Sequence, residues 1–171
     1  MILNRDYFSA PATILAPALL GKILCRRTSD GKIIKSTITE TECYFGESDT
    51  ACHAHKGKTE RTKTMYRDGG ITYVYLCYGM HAMLNIVTGE ENHPEAVLIR
   101  GVIDANGPGR TTKFMHITTS DNALPLCPES GIWIEDDGSM PPKYTVLPRV
   151  GIDYASKEDR DRLWRFTITK E

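Results

Sequence analysis

Tyr73-Val74-Tyr75-Leu76-Cys77-Tyr78-Gly79-Met80-His81 lies within a run, Ile71 to Thr88, that is rich in β-branched and aromatic residues. Such a run predicts two strands, Ile71 to Cys77 and Met80 to Thr88, reversing near Tyr78-Gly79 with Tyr78 at a hairpin tip. The turn length decides which side chains share a face. A two-residue turn puts Tyr75 and Asn85 on opposite faces, whereas the three-residue turn Tyr78-Gly79-Met80 pairs Tyr75 with Met83 and Tyr73 with Asn85; the latter is the reading we favour.

Working outward, Lys22 to Arg27 and Lys32 to Thr39 read as strands joined at the turn signal Ser29-Asp30-Gly31, a hairpin that delivers the chain to Glu42 at a strand end. Asn4 to Leu20 reads as a helix with Ser9 as a candidate cap and with prolines that break or kink it. Ala96 to Val102 is a compact apolar strand whose one charged member, Arg100, needs a partner if it points inward. Gly107-Pro108-Gly109-Arg110 breaks the chain before a short helix, Thr111 to Ile117. Gly131 to Glu135, Arg149 to Ile152 and Leu163 to Thr169 read as further strands, with Asp136 to Lys143 a polar turn. The expected class is α+β: one mixed domain over residues 1–171, with a curved antiparallel sheet, flanking helices and a protruding hairpin.

Composition sets the outer bounds. At 171 residues, 40% hydrophobic and 25% charged, the chain has the balance of an ordered globular protein. The longest apolar stretch, Ala10 to Gly21, is interrupted by two prolines and falls short of the roughly 20 residues that span a bilayer. No small-residue cleavage site follows it, so an intracellular protein with no membrane partner is expected. The five cysteines form no Cys-x-x-Cys pair and read as buried free thiols; no metal or other cofactor is expected. A net charge of -1 argues against holding nucleic acid by overall charge. Locally, however, Lys56, Lys58, Arg61, Lys63 and Arg67 outnumber the acids between residues 56 and 68, a pattern that fits either a solvated loop or one that tracks phosphates.

The chemistry is concentrated in Glu40-Thr41-Glu42-Cys43-Tyr44-Phe45-Gly46, His53 and the aromatic ladder of the hairpin. A core alone could be filled by Leu, Ile or Val. Several tyrosine rings near a carboxylate suit a flat, polar, aromatic ligand held beside a group that takes a proton, and a nucleobase fits that description.

At these residues the chain resembles the alkyladenine (3-methyladenine, or methylpurine) DNA glycosylase family. The resemblance runs from Leu19 to Phe166 and rests on four ordered segments: Glu-Thr-Glu-x-Tyr-x-Gly from Glu40, Tyr-Val-Tyr-x-x-Tyr-Gly-Met-x-x-x-x-Asn from Tyr73, Val-Leu-Ile-Arg from Val97, and Arg-Val-Gly-Ile from Arg149. It implies a monofunctional hydrolase of base excision repair that flips a damaged purine out of double-stranded DNA and acts as a monomer. Glu42 matches the carboxylate that activates water, Arg100 a residue that helps hold that water, and Val150 one whose backbone carbonyl touches it. Tyr44, His53 and Tyr75 match the rings between which the damaged base stacks, the histidine position also hydrogen-bonding the base; Asn85 matches the residue that disfavours normal guanine, and Leu98 a pocket-lining position. Tyr78 matches the side chain that fills the gap in the duplex, with Met80, Lys58 and Arg61 as further DNA contacts. Glu40 is expected to be structural, on the other face of its strand.

Three departures from the family pattern stand out. Only Val102 to Asn106 separates Gly101 from Gly107 where longer members carry a helical insertion, Glu60 stands where Pro is frequent, and Thr111 where an apolar residue is frequent. Two rival readings of the residues remain at this point. A metal-dependent nuclease could use Glu40, Glu42 and Asp49, and a non-catalytic reader of damaged DNA could use Tyr78 and the basic loop.

Overall fold

A computed structural model describes residues 1–169. Among the described residues nine strands form one antiparallel sheet: β1 (Ile23–Arg27), β2 (Ile33–Phe45), β3 (Ile71–Cys77), β4 (His81–Val87), β5 (Glu95–Val102), β6 (Ala105–Asn106), β7 (Ile132–Glu135), β8 (Tyr144–Leu147) and β9 (Arg165–Ile168). The main path runs β3-β4-β5-β2-β1-β7, with β6 on β5 and β9 bridging β2 to β8. Helices α1 (Ala12–Ala18), α2 (Pro108–Phe114) and α3 (Lys157–Asp161) are short. The expected α+β class, built on an antiparallel sheet, is what the chain adopts.

Alternation along the central strands separates two environments. Cys43, Val97, Ile86 and Val74 point to the main core, where they join Leu15, Ala16 and Leu19 of the N-terminal segment. On the other face, Tyr73, Val87 and Ala96 pack with Cys52, Ala54, Met65 and Tyr66 from the long connection between β2 and β3.

The hairpin register is the three-residue one, with Tyr73 opposite Asn85, Tyr75 opposite Met83 and Cys77 opposite His81. Both central residues of the turn have positive φ, 52° at Tyr78 and 67° at Gly79, and the Met80 N–H donates to the Cys77 carbonyl at 3.1 Å. That backbone matches the twist of the strands and carries Tyr78 outward, 91% exposed.

Several sequence expectations change. The N-terminal helix is two pieces, a 3-10 turn at Arg5–Ser9 and α1, because Ala10 precedes Pro11 and is extended at ψ 155°. Its cap is Asn4, whose side chain accepts the Tyr7 N–H, rather than Ser9. Helix α2 begins earlier than Thr111, since Pro108 suits the first helical position, and it ends before His116, which has φ 52°. Glu42 is not at a strand end: β2 continues to Phe45 because β5 pairs with it throughout. Residues 149–152 are no strand, since Pro148 breaks the run and Gly151 has φ 75°. The strand of this region is β8, just upstream. The shortened segment after Gly101 is a tight hairpin, in which Val102 pairs with Ala105.

Candidate functional site

One row of residues crosses four strands on the face away from the main core. Tyr73 lies opposite Asn85, Asn85 opposite Leu98, and Leu98 opposite Glu42. Directly opposed residues of neighbouring strands share a face, so pairing alone brings positions 42, 73, 85 and 98 together. Asn85 is held by donating Nδ2 to the Tyr73 carbonyl at 3.2 Å.

A break in the pairing sets Arg100. Ile38 pairs with Val102, Glu40 with Gly101 and Thr41 with Ile99, so Arg100 has no direct partner in the ladder. This irregularity directs its side chain between the two acids of β2. Nε donates to Glu40 Oε1 at 3.2 Å and lies 3.6 Å from Glu42 Oε1. Glu40 therefore reaches the same guanidinium as Glu42, contrary to its expected place on the other face; two residues apart in an extended strand means the same side. Arg165 Nη1 donates to the same Glu40 oxygen at 3.2 Å.

Glu42 is fully buried, and its two oxygens are held separately. Val150 N–H donates to Oε1 at 2.7 Å and the Tyr44 hydroxyl donates to Oε2 at 2.8 Å. Burial pushes its carboxyl above the ordinary range, while Arg100, the Val150 N–H, the Tyr44 hydroxyl and Arg149 pull it back in that order. Desolvation dominates.

A cleft of about 590 Å³ lies over this carboxylate, and Tyr44, Arg100 and Val150, its three partners, all line it. Glu42 itself sits behind them. His53, Tyr73, Tyr75, Asn85, Leu98, Arg61 and Tyr78 also face the cleft. His53 and Tyr75 touch, with ring centroids 4.5 Å apart at 65°, and His53 Nδ1 is 3.1 Å from the Tyr73 hydroxyl. No flat molecule fits between His53 and Tyr75, so the pair forms one continuous wall. Burial, helped by Arg61, lowers the His53 pKa to about 4, so its ring is neutral near pH 7.

The basic loop divides. Arg61 belongs to the cleft, its guanidinium 5.1 Å from the centroid of the Tyr75 ring. Lys58 lies over Tyr66, at 5.6 Å, away from the cleft lining. Met80 is 75% exposed beside Tyr78. Glu60 pairs with Lys63 at the surface. Thr111, polar where an apolar residue is frequent, is buried with its hydroxyl donating to the Gly107 carbonyl at 2.9 Å, so the departure leaves no unsatisfied group.

Two groups bordering the site were not singled out from the sequence. Arg149, though inside a quoted motif, read as part of a strand; its buried side chain forms a two-pronged ion pair with Asp49. Tyr154 lines the cleft and donates its hydroxyl to the Ala51 carbonyl at 2.6 Å. No local pattern marks either one, because their partners lie about 100 residues away in the chain.

The sequence model of the methylpurine-DNA glycosylase family matches residues 6–104 and 103–171. The chain belongs to this family. Relatives printed as "Putative 3-methyladenine DNA glycosylase" include one from Psychrobacter cryohalolentis, 42% identical over 98% of this chain and 92% of its own length. Another, from Borreliella burgdorferi, is 40% identical over 97% and 95% respectively. A third, from Methanocella arvoryzae, is 39% identical over 96% and 91%. Among the described residues no helix is long and apolar enough to cross a membrane.

Proposed function

We propose that this methylpurine-DNA glycosylase family member releases alkylated purines from duplex DNA by hydrolysis, with Glu42 activating the water. The observation that carries the reading is a buried carboxylate held on both oxygens by three groups that also line a ring-walled cleft. An ionised carboxylate offers about four acceptor positions. Val150, Arg100 and Tyr44 approach three of them, which leaves one for the attacking water in this reading. Arg100 and Val150 both occupy Oε1, so the position left for the water is on Oε2, beside Tyr44, which also reaches the cleft.

A base inside a duplex hides its glycosidic bond, and extruding it costs a few kcal/mol, least at a damaged pair. Stacking on aromatic rings returns about 1 to 3 kcal/mol per base. Tyr44 and the joined His53–Tyr75 wall supply those surfaces, while exposed Tyr78, with Met80 beside it, fills the space left in the helix. Asn85 and Leu98 shape the floor, where Asn85 crowds the exocyclic amine of guanine. Lys58 and Arg61 contribute positive charge toward the DNA, Arg61 from the cleft wall itself.

N-alkylation makes the purine a cationic leaving group. The glycosidic bond breaks with its electron pair going to the purine, Glu42 takes a proton from the attacking water, and the sugar keeps the hydroxyl. Negative charge on Glu42 also stabilises the oxocarbenium-like centre. Among the described residues no lysine amine is joined to this arrangement, and we propose base release without strand cleavage. We further propose that the protein acts as a monomer, with residues 1–171 forming one domain.

The nuclease reading loses its ligands: Glu40 is taken by Arg100 and Arg165, and Asp49 by Arg149. Duplexes carrying a single alkylated purine, incubated with the protein in chelator, test the proposal. Free base together with an alkali-sensitive site is expected. Binding without released base would make the protein a reader, and nicking that appears only when divalent metal replaces the chelator would make it a nuclease.

A further inference from the structure

We infer that Arg149, through its ion pair with Asp49, is a positioning residue that fixes the Glu42 backbone donor and the Tyr44 ring as one rigid unit. The inference rests on the glycosylase reading above. Arg149 does not line the cleft, and its side chain is fully buried. It nevertheless touches β2, the turn that follows it at Asp49, and the segment near Asp159 and Trp164.

Nη1 donates to Asp49 Oδ2 at 2.6 Å and to the Cys43 carbonyl at 2.9 Å, between Glu42 and Tyr44 on β2. Nη2 donates to Asp49 Oδ1 at 2.9 Å and to the Asp159 carbonyl at 3.2 Å. The guanidinium carbon lies 4.9 Å from the centroid of the Tyr44 ring and 5.0 Å from that of Trp164. Asp49 in turn accepts the N–H groups of Phe45 at 3.0 Å and Ala51 at 3.1 Å, which ties down the start of the loop that carries His53. The residue after Arg149 is Val150, whose N–H holds Glu42.

A buried ion pair is a poor way to gain stability, because apolar packing of similar volume serves as well or better. What a planar fork supplies is direction. Four hydrogen bonds and two ring contacts leave the guanidinium one orientation, and that orientation sets where Val150 leaves the backbone and how the Tyr44 ring lies. A displacement of about 1 Å at reacting groups costs on the order of 100-fold in rate. The charge also acts on Glu42. Facing that carboxylate are Arg100 from β5, Tyr44 and Glu40 from β2, Arg165 across the ladder on β9, and Arg149 with the Val150 N–H from the segment after β8. Arg149 is among those that favour its ionised form.

The test measures single-turnover base release and duplex binding from about pH 5 to about pH 9 for Arg149→Lys, Asp49→Asn and, as a reference, Glu42→Gln. Arg149→Lys keeps the charge and loses the fork; release is expected to fall about 100-fold while binding changes by less than about tenfold. Asp49→Asn leaves the Arg149 charge unneutralised beside Glu42, so the acid limb of the release rate is expected to move to lower pH as the rate falls. A pair that only supported the fold would lower the melting temperatures and leave both the limb and the rate per folded molecule alone. A folded Arg149→Lys protein releasing base within about threefold of the parent overturns the inference, as does an Asp49→Asn protein with an unmoved limb, and the latter decides alone if Arg149→Lys does not fold. Release by Glu42→Gln would instead remove the glycosylase reading itself.

Discussion

Glu42 and Asn85 stand on either side of Leu98 in a single cross-strand row, one from β2 and the other from β4. The carboxylate we propose as the activator of water and the amide we propose as the screen for the base are thus linked by strand pairing rather than by loop geometry. Their spacing is as rigid as the sheet.

Glu42→Gln is expected to lower base release by at least about 1,000-fold, as loss of the proposed general base and charge stabiliser requires. Binding to a lesion-containing duplex should stay within about tenfold, because no wall of the cleft changes. Quantifying free base in a single-turnover assay beside a binding titration separates the two.

Burial also gives Glu42 a stability signature. Its carboxyl is raised in the folded protein, so between the ordinary carboxylate range near 4.5 and its folded value the native state holds the extra proton. This contribution to stability is complete below the unfolded value and is lost as pH rises through the folded one. Glu42→Gln cannot lose it. Melting curves should therefore show the variant gaining on the parent as pH is raised from the acid side, and a constant difference would contradict the assignment.

Tyr44→Phe keeps the stacking surface and removes the hydroxyl that donates to Glu42 Oε2. That bond lowers the carboxyl pKa, so its loss raises it further and the acid limb of base release should move to higher pH. A rate–pH profile identical to that of the parent would show that the hydroxyl does not act on Glu42.

His53 titrates near 4 where a free imidazole titrates near 6.5, with burial the main cause and Arg61 the second. Between those values the unfolded chain binds a proton that the folded one refuses, so stability present above pH 6.5 declines as pH falls toward 4. NMR titration of the ring should find it neutral across this window, and His53→Gln should flatten the corresponding part of the stability curve.

Asn85→Ser shortens the amide that faces the cleft floor and is expected to admit the guanine amine. The ratio of release from guanine-type to adenine-type substrates should rise about tenfold, the size of one lost steric contact. An unchanged ratio would mean that another group screens the base.

Much of this was legible along the chain. Alternation and turn chemistry at Tyr78-Gly79 located the hairpin and, between two turn lengths, favoured the register that is found, because strand faces repeat every two residues and the turn length sets which faces meet. The order and spacing of four motifs determined the family. The burial of Glu42, the shared pull of Glu40 and Glu42 on Arg100, the place of Arg61 in the cleft wall and the Arg149–Asp49 pair were decided only by the folded sheet. Val150 meets Glu42 across 108 residues of chain, and Arg149 meets Asp49 across 100. Local sequence reports the conformations open to a few neighbouring residues; a contact of that span exists only once the intervening strands have paired and fixed where each segment returns.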